Sequence, residues 1–436
     1  EIKYHFFDEN VLSQTSDITI GGLDDEVTST IKTEAFYDIE FKGLVNIHEL
    51  VTIEYNAFQM CKFGKNIVIN GTIDAYAFDN CTVINTGVVL SIGATNIGNH
   101  AFQRFGQLNT FTLRFHNIQI GSKSIGQHAF YEANISDLVE IPWCFNSIGN
   151  YAFSNCIAIK TVVVNNSNIG DYAFLGCQNL EKLELYSHGT FTINSIQYKG
   201  MTEIGTCAFY SLPKLSSDLI IPSYVSPIGN EAFANCGLIP LLVIEPESAL
   251  TNFNSGVFAN CVKMAGQINI TKSIVNIASR AFYGCKELTK LVIHDDCSLE
   301  TIGESAFQNC ENMDGVLDFP DSLKSIGDYA FSNCIEFSHH ITIKSKCTIG
   351  DYAFNDCSKI KRVELDFPPY DSDTDDRLYR YIGKYAFTGL PVYNNYHSDD
   401  YDDDNDGEID NTGDEEEDDL LTIPEYIFSI GERAFE

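Results

Sequence analysis

The chain has a single Trp and four Met among its 436 residues, and its 27 Lys and Arg are outnumbered by 61 Asp and Glu. So few cations against a net charge of −34 make nucleic acid a poor partner, because phosphate binding rests on Lys and Arg. Basic proteins, cations or simple solubility suit such a surface better. No run of 18 apolar residues occurs, so no segment reads as a transmembrane helix. There is no Gly-x-Ser-x-Gly, no His-Glu-x-x-His and no phosphate-cradling glycine loop, and no Cys-x-x-Cys or Cys/His cluster of zinc-site spacing. The ten His are scattered, with His339-His340 as the one adjacent pair. These absences argue against an enzyme and against a required cofactor.

What is present is a phrase, Ile-Gly-x-x-Ala-Phe-x-x-Cys. Clean copies begin at Ile148, Ile169, Ile228, Ile302, Ile326 and Ile349. An Ala-Phe pair or near equivalent recurs sixteen times from Ala35-Phe36 to Ala434-Phe435, counting Val257-Phe258. A fixed period of about 20–30 residues is the signature of a solenoid. The widest intervals, Phe174 to Phe209, Phe354 to Phe387 and Phe387 to Phe435, keep the phase and therefore hold insertions that leave the stack as loops.

About nine residues after each Phe comes a short alternating apolar phrase such as Leu183-Glu184-Leu185 or Ile341-Thr342-Ile343. Alternation over three to five residues reads as a strand. In several units a Pro follows (Pro142, Pro222, Pro246, Pro320) and marks the strand's end. One coil is then a strand, a turn, a tight Gly bend and a short helical or irregular return. A single coil cannot bury its own apolar side, but stacked coils can. The Gly is expected to serve a backbone conformation that a Cβ opposes, the Ala to allow close approach of coils, and the Phe to fill the core.

The stretch Cys310 to Val316 with Asp318, Pro320, Leu323, Ile326, Gly327, Ala330, Phe331 and Cys334 resembles the unit of the BspA-like leucine-rich repeat family. The resemblance spans nearly the whole chain. It implies a leucine-rich-repeat solenoid of about 16 coils with a parallel β-sheet on one face and short helical or irregular returns on the other. It also implies a cell-surface or secreted, adhesion-type ectodomain that binds a protein or glycan, with no catalytic residues to carry over. An intracellular, cytoplasmic interaction scaffold with an acidic loop is the alternative. The organisation expected is one array over residues 1–436, with weak phase over 1–30 and an acidic insertion at 391–419. The first Ala-Phe copies lack Ile-Gly and read as degenerate edge coils. The chain starts without Met and stops just after an Ala-Phe, so it reads as a piece of a longer protein.

Ten of the fourteen cysteines sit three residues after the repeat Phe, from Cys61 to Cys357. A Cys tied to a structural phase behaves as a small buried hydrophobe, so these are expected to be free and inward-facing. Cys144, Cys207, Cys297 and Cys347 are off that phase.

Two features are candidates for function. The middle residue of each strand phrase points away from the core. The series is Thr52, Val68, Thr112, Glu140, Val163, Glu184, Ile220, Val243, Asn269, Val292, Asp318, Thr342 and Glu364. Its exposed Val and Ile fit either strand propensity or a ligand-binding surface. The second feature lies in a chain segment, 366–419, with 19 acidic residues against three basic. There Asp402, Asp404, Asp406, Glu408 and Asp410 fall at positions 1, 3, 5, 7 and 9 of a calcium-loop pattern, with Gly407 at the turn. Gly413 stands where a bidentate Glu belongs, and runs this acidic are commonly solvated and unstructured.

Overall fold

The computed structural model describes residues 16–21, 28–93, 96–116, 123–165, 167–187, 191–193, 196–198, 200–294, 296–343, 347–365, 381–390 and 429–435. The acidic insertion and its candidate calcium ligands Asp402, Asp404, Asp406, Glu408 and Asp410 lie outside them.

Two parallel β-columns run along the stack, and a short third one, Glu40–Phe41, Lys62–Phe63 and Thr82–Val83, spans the first coils. The first is built from the apolar-x-apolar phrases, with every ladder parallel. Val45–Ile47, Ile67–Ile69, Val89–Ile92 and Thr112–Phe115 pair in sequence, and farther along Leu317–Phe319, His340–Ile343 and Arg362–Leu365 do the same. The second column is the Ile of each Ile-Gly. Ile125, Ile148 and Ile169 pair in register, as do Ile277, Ile302, Ile326 and Ile349. The early coils join it too, with Ile31, Ile53 and Ile73 in register. Their missing Gly does not make them degenerate: Lys32 and Glu54 take the place after Ile and pair at 2.9 Å.

The return is not helical: no helix occurs among the described residues. In the coil from Ile148, alternate amides point in different directions. Ala152, Ser154 and Cys156 donate back three residues, to Gly149, Tyr151 and Phe153, while Tyr151, Phe153 and Asn155 donate to Asp171, Ala173 and Leu175 of the following coil. Tyr151 and Asn155 have φ of 57° and 60°, the left-handed region that interrupts a helix. Half of the amide donors thus bond between coils rather than four residues back along a helix, which leaves a ribbon of turns.

The core is a single file of aromatic rings. Phe36, Phe58, Phe78, Phe102 and Phe130 stack at centroid spacings of 4.8–5.1 Å, and the file continues through Phe153, Phe174, Phe209, Phe233 and Phe258. It then runs through Phe282, Phe307, Phe331, Phe354 and Phe387 to Phe435. All sixteen repeat rings therefore share one ladder. Full burial of a Phe contributes about 1.5–3 kcal/mol, and offset stacking adds about 0.5–1.5 kcal/mol per pair.

The repeat Gly has a different role from the one expected. Gly327 has no left-handed φ, but a Cβ on it would lie 2.6 Å from the Glu304 nitrogen and 2.7 Å from the Gly303 carbonyl carbon. Gly149 is equally close to the backbone at Gln127 and Gly126. Close approach of neighbouring coils selects glycine here, not backbone conformation.

Of the insertions, the one between Phe174 and Phe209 carries an antiparallel hairpin, Phe191–Ile193 with Ile196–Tyr198. A second ring file runs along the return. Tyr76, His100, His128, Tyr151 and Tyr172 stack at 4.4–4.9 Å within 8° of parallel.

Candidate functional site on the sheet face

Register aligns the outward strand residues into a column. Glu140 faces Val163, which faces Glu184. Ile220 faces Val243, Asn269 faces Val292, and Asp318, Thr342 and Glu364 follow one another. Val68 lies between Asn46 and Ser91.

Three members of the series depart from their expected places. Thr52 belongs to the Ile column, paired with Thr30 and Thr72. Thr112 is on the strand face but pairs with Val89, and the residue in line with Val68 and Ser91 is Arg114. A count of ten from Phe36 gives Asn46, which is in line with Val68; the same count from Phe102 gives Thr112 rather than Arg114, because that coil is longer before its strand. Thr342 is buried at 5% exposure, its short side chain held in register between the longer Asp318 and Glu364.

The middle of the column is apolar and open. Ile220 is 47% exposed, Val243 and Leu241 are 37% exposed, and Glu184 and Asn269 lie on either side of this stretch in chain order. Glu184 pairs with Lys182 at 2.5 Å, and that hydrogen bond holds its carboxyl below the usual range. Lys160 pairs with Asp137 at 2.9 Å. Toward the N-terminal end, three coils share one polar chain. Ser91 Oγ lies 2.8 Å from His116 Nδ1, and His116 Nε2 lies 2.9 Å from Asn70 Oδ1. Burial lowers the His116 pKa. Ser91, Arg114 and His116 were not among the sequence candidates. Aligning the Val89-Leu90-Ser91-Ile92 alternation with Ile67-Val68-Ile69, instead of counting from the Phe, finds the first two.

The ten on-phase cysteines are buried free thiols. Burial pushes Cys177, Cys236 and Cys285 up to about 12, which leaves them protonated and poor nucleophiles. Among the described residues no group of His, Cys, Asp and Glu is placed to hold a metal ion, and no helix is long and apolar enough to cross a membrane.

Coils stacked in parallel around a ring ladder, each contributing to two β-columns, define a leucine-rich-repeat solenoid. The chain belongs to the BspA-type leucine-rich-repeat family: the family model "BspA type Leucine rich repeat region (6 copies)" matches residues 5–124, 115–203, 186–314 and 276–390. No curated protein matches it. Similar solved structures include a leucine-rich repeat protein from Bacteroides ovatus, 19% identical over 81% of this chain and 92% of that one, with a TM-score of 0.47. Another is a leucine-rich repeat protein from Eubacterium ventriosum, 18% identical over 84% and 94%, TM-score 0.39. A third, a leucine rich cell surface protein from Faecalibacterium prausnitzii, is 23% identical over 68% and 86%, TM-score 0.32.

Proposed function

We propose that the chain is a non-enzymatic binding array, part of a cell-surface or secreted adhesion-type protein, that grips a protein or glycan ligand along its sheet face. The observation that carries this reading is the outward column, in which Ile220 and Val243, with Leu241 beside them, stay open to solvent between the coils of Glu184 and Asn269. Apolar side chains gathered on one face and rimmed by polar groups are the pattern of an interaction surface. The surface location rests on the family resemblance.

The test is a pulldown from candidate host or matrix extracts with the isolated array and with a variant carrying Val163→Glu, Val243→Glu and Val292→Glu. Loss of the captured partner in the variant, with circular dichroism unchanged, supports the sheet face as the ligand surface. Capture at the wild-type level would remove that face from consideration.

A further inference from the structure

The stack has a seam, and the seam holds a groove. Two signs place it at the coil around Phe258, the break in the second column and the ring spacing; the first column parts there too, as it does at three other junctions. Strand Leu242–Ile244 pairs with Leu219–Ile221 behind it, and Gly266–Ile270 pairs with Leu288–Ile293 ahead of it. These two strands share one bridge, Leu241 to Ala265, and no ladder. In the second column Ile204 bridges Ile228 and Phe253 pairs with Ile277, but at the junction the Asn254 side-chain amide donates to the Ile228 carbonyl at 2.6 Å. The ring ladder is widest here, with Phe233 to Phe258 at 5.7 Å and Phe258 to Phe282 at 5.5 Å and 27°. The cause is legible: Val257 stands where other coils have Ala, and Asn252-Phe253-Asn254 where they have an Ile-Gly phrase. The larger side chains hold the coils apart.

Where the strands part, a groove of about 370 Å³ opens on the sheet face. Leu242 and Ile268, both buried, are among its apolar walls. Glu245, Gln267, Asn269 and His294 also line it, and no Lys or Arg does. The Glu245 carboxylate is fixed by the Ser223 amide at 2.9 Å, and Gln267 Nε2 donates to Asn269 Oδ1 at 3.1 Å.

We infer that this groove is a subsite for one unit of a neutral glycan. A pyranose ring offers adjacent hydroxyls that both donate and accept, and it has a less polar C–H face. The carboxylate accepts, the two amides do both, the imidazole does either, and the apolar walls receive the C–H face. The volume is at the small end of ligand sites and suits a single sugar. The lack of a cation in the lining, within a chain of net charge −34, disfavours sulfated, phosphorylated or acidic sugars. The inference rests on the sheet face being a ligand surface, and it deepens that reading by naming a ligand class and a place.

The test titrates the whole chain with methyl glycosides of neutral hexoses and N-acetylhexosamines, followed by calorimetry and saturation-transfer NMR. One of them saturates the wild type. Asn269→Ala and Gln267→Ala, whose side chains are exposed and bonded to each other, each weaken that binding about tenfold, while Leu108→Gln, exposed and outside the outward column, leaves it unchanged. Absence of saturable binding by every glycoside overturns the inference, as does binding unaltered in the Asn269→Ala, Gln267→Ala double variant. The protein pulldown is read separately. Capture that survives while all glycosides fail removes the groove alone, and capture lost with Val243→Glu while a glycoside still binds keeps both.

Discussion

The thiol of Cys285 donates to the backbone carbonyl of Phe258 in the preceding coil, at 3.2 Å. That same oxygen accepts the amide of Cys261 at 3.2 Å. The thiol bond recurs at all ten on-phase cysteines, from Cys61 with Phe36 to Cys357 with Phe331, and at seven of those carbonyls an amide of the same coil donates as well. The repeat thus keeps Cys for two reasons: its size fits the interior, and its hydrogen gives a buried carbonyl a second donor from the next coil. Where the position is Phe105, Ala133, Leu212 or Leu390, the preceding Phe carbonyl has no such thiol.

Cys285→Ala therefore removes a weak cross-coil bond and leaves a small void at a fully buried site. The expected cost is about 1–2 kcal/mol. Urea unfolding checks it through a lower midpoint at unchanged slope. A midpoint equal to wild type would show that the thiol acts as filler only.

Alkali should act on the same ladder. Burial raises the pKa of Cys285 from 9.0 to about 12, with Cys177 and Cys236 alike. Folded thiols therefore hold protons that the unfolded chain gives up above pH 9, so unfolding is favoured as pH rises. Stability is full below pH 9 and falls between pH 9 and about 12, summed over the buried thiols. The urea midpoint followed from pH 8 to 10.5 should drop steadily, and Ellman's reagent at pH 8 should find the on-phase thiols unreactive until denaturant is added.

The architecture was readable because the Phe period repeats one physical requirement in every coil, a ring to stack on the previous ring. The solenoid and the inward Cys follow from that phase, and the family resemblance from the wording of the repeated unit. The Gly was misread because sequence shows that a Cβ is avoided but not whether its own φ or a neighbouring backbone forbids it; only the 2.6 Å approach at Gly327 decides. The helical alternative for the return fails because Tyr151 and Asn155 rather than Gly take the left-handed φ, and nothing in their identity announces it. The outward column was half legible. Alternation marks which residues face out, but alignment across coils of unequal length needs the register, and so Thr112 was named in place of Arg114. The seam was present in the sequence as Val257 and Asn252-Phe253-Asn254. Those substitutions pass for ordinary repeat variation until the strands are seen to part.

Acid should weaken the N-terminal half first. Burial lowers the pKa of His116 and His128 from 6.5, and the neighbouring His100 lowers His128 further. Each ring binds a proton more weakly in the folded chain than in the unfolded one. Stability from these sites is complete above pH 6.5 and declines as pH falls below it, until the folded rings themselves protonate. His128 also stacks on the His100 ring, with the centroids 4.7 Å apart. The melting temperature should fall between pH 7.5 and 5.5, and less so in His128→Gln. An identical pH slope in that variant would sink the assignment to this ring.

Two glycines separate the effects of space and backbone. At Gly327 a Cβ would meet the Glu304 nitrogen at 2.6 Å, whereas at Gly87, with φ of +75°, a Cβ meets nothing within 4 Å. Gly87→Ala should therefore cost only the left-handed strain, about 1 kcal/mol. Gly327→Ala forces two backbones apart in the middle of a continuous stack, and overpacking against atoms that cannot rotate away costs about 3 kcal/mol. Because each coil is stabilised by its neighbours, the second change should also loosen the interface between the coils of Phe307 and Phe331. Amide hydrogen exchange is the measurement: protection at Phe307, whose amide donates to the Ala330 carbonyl of the following coil at 2.7 Å, should drop in Gly327→Ala and persist in Gly87→Ala. Equal protection in both variants would mean that the stack yields to a methyl group without separating, and that close approach is not what selects glycine after the repeat Ile.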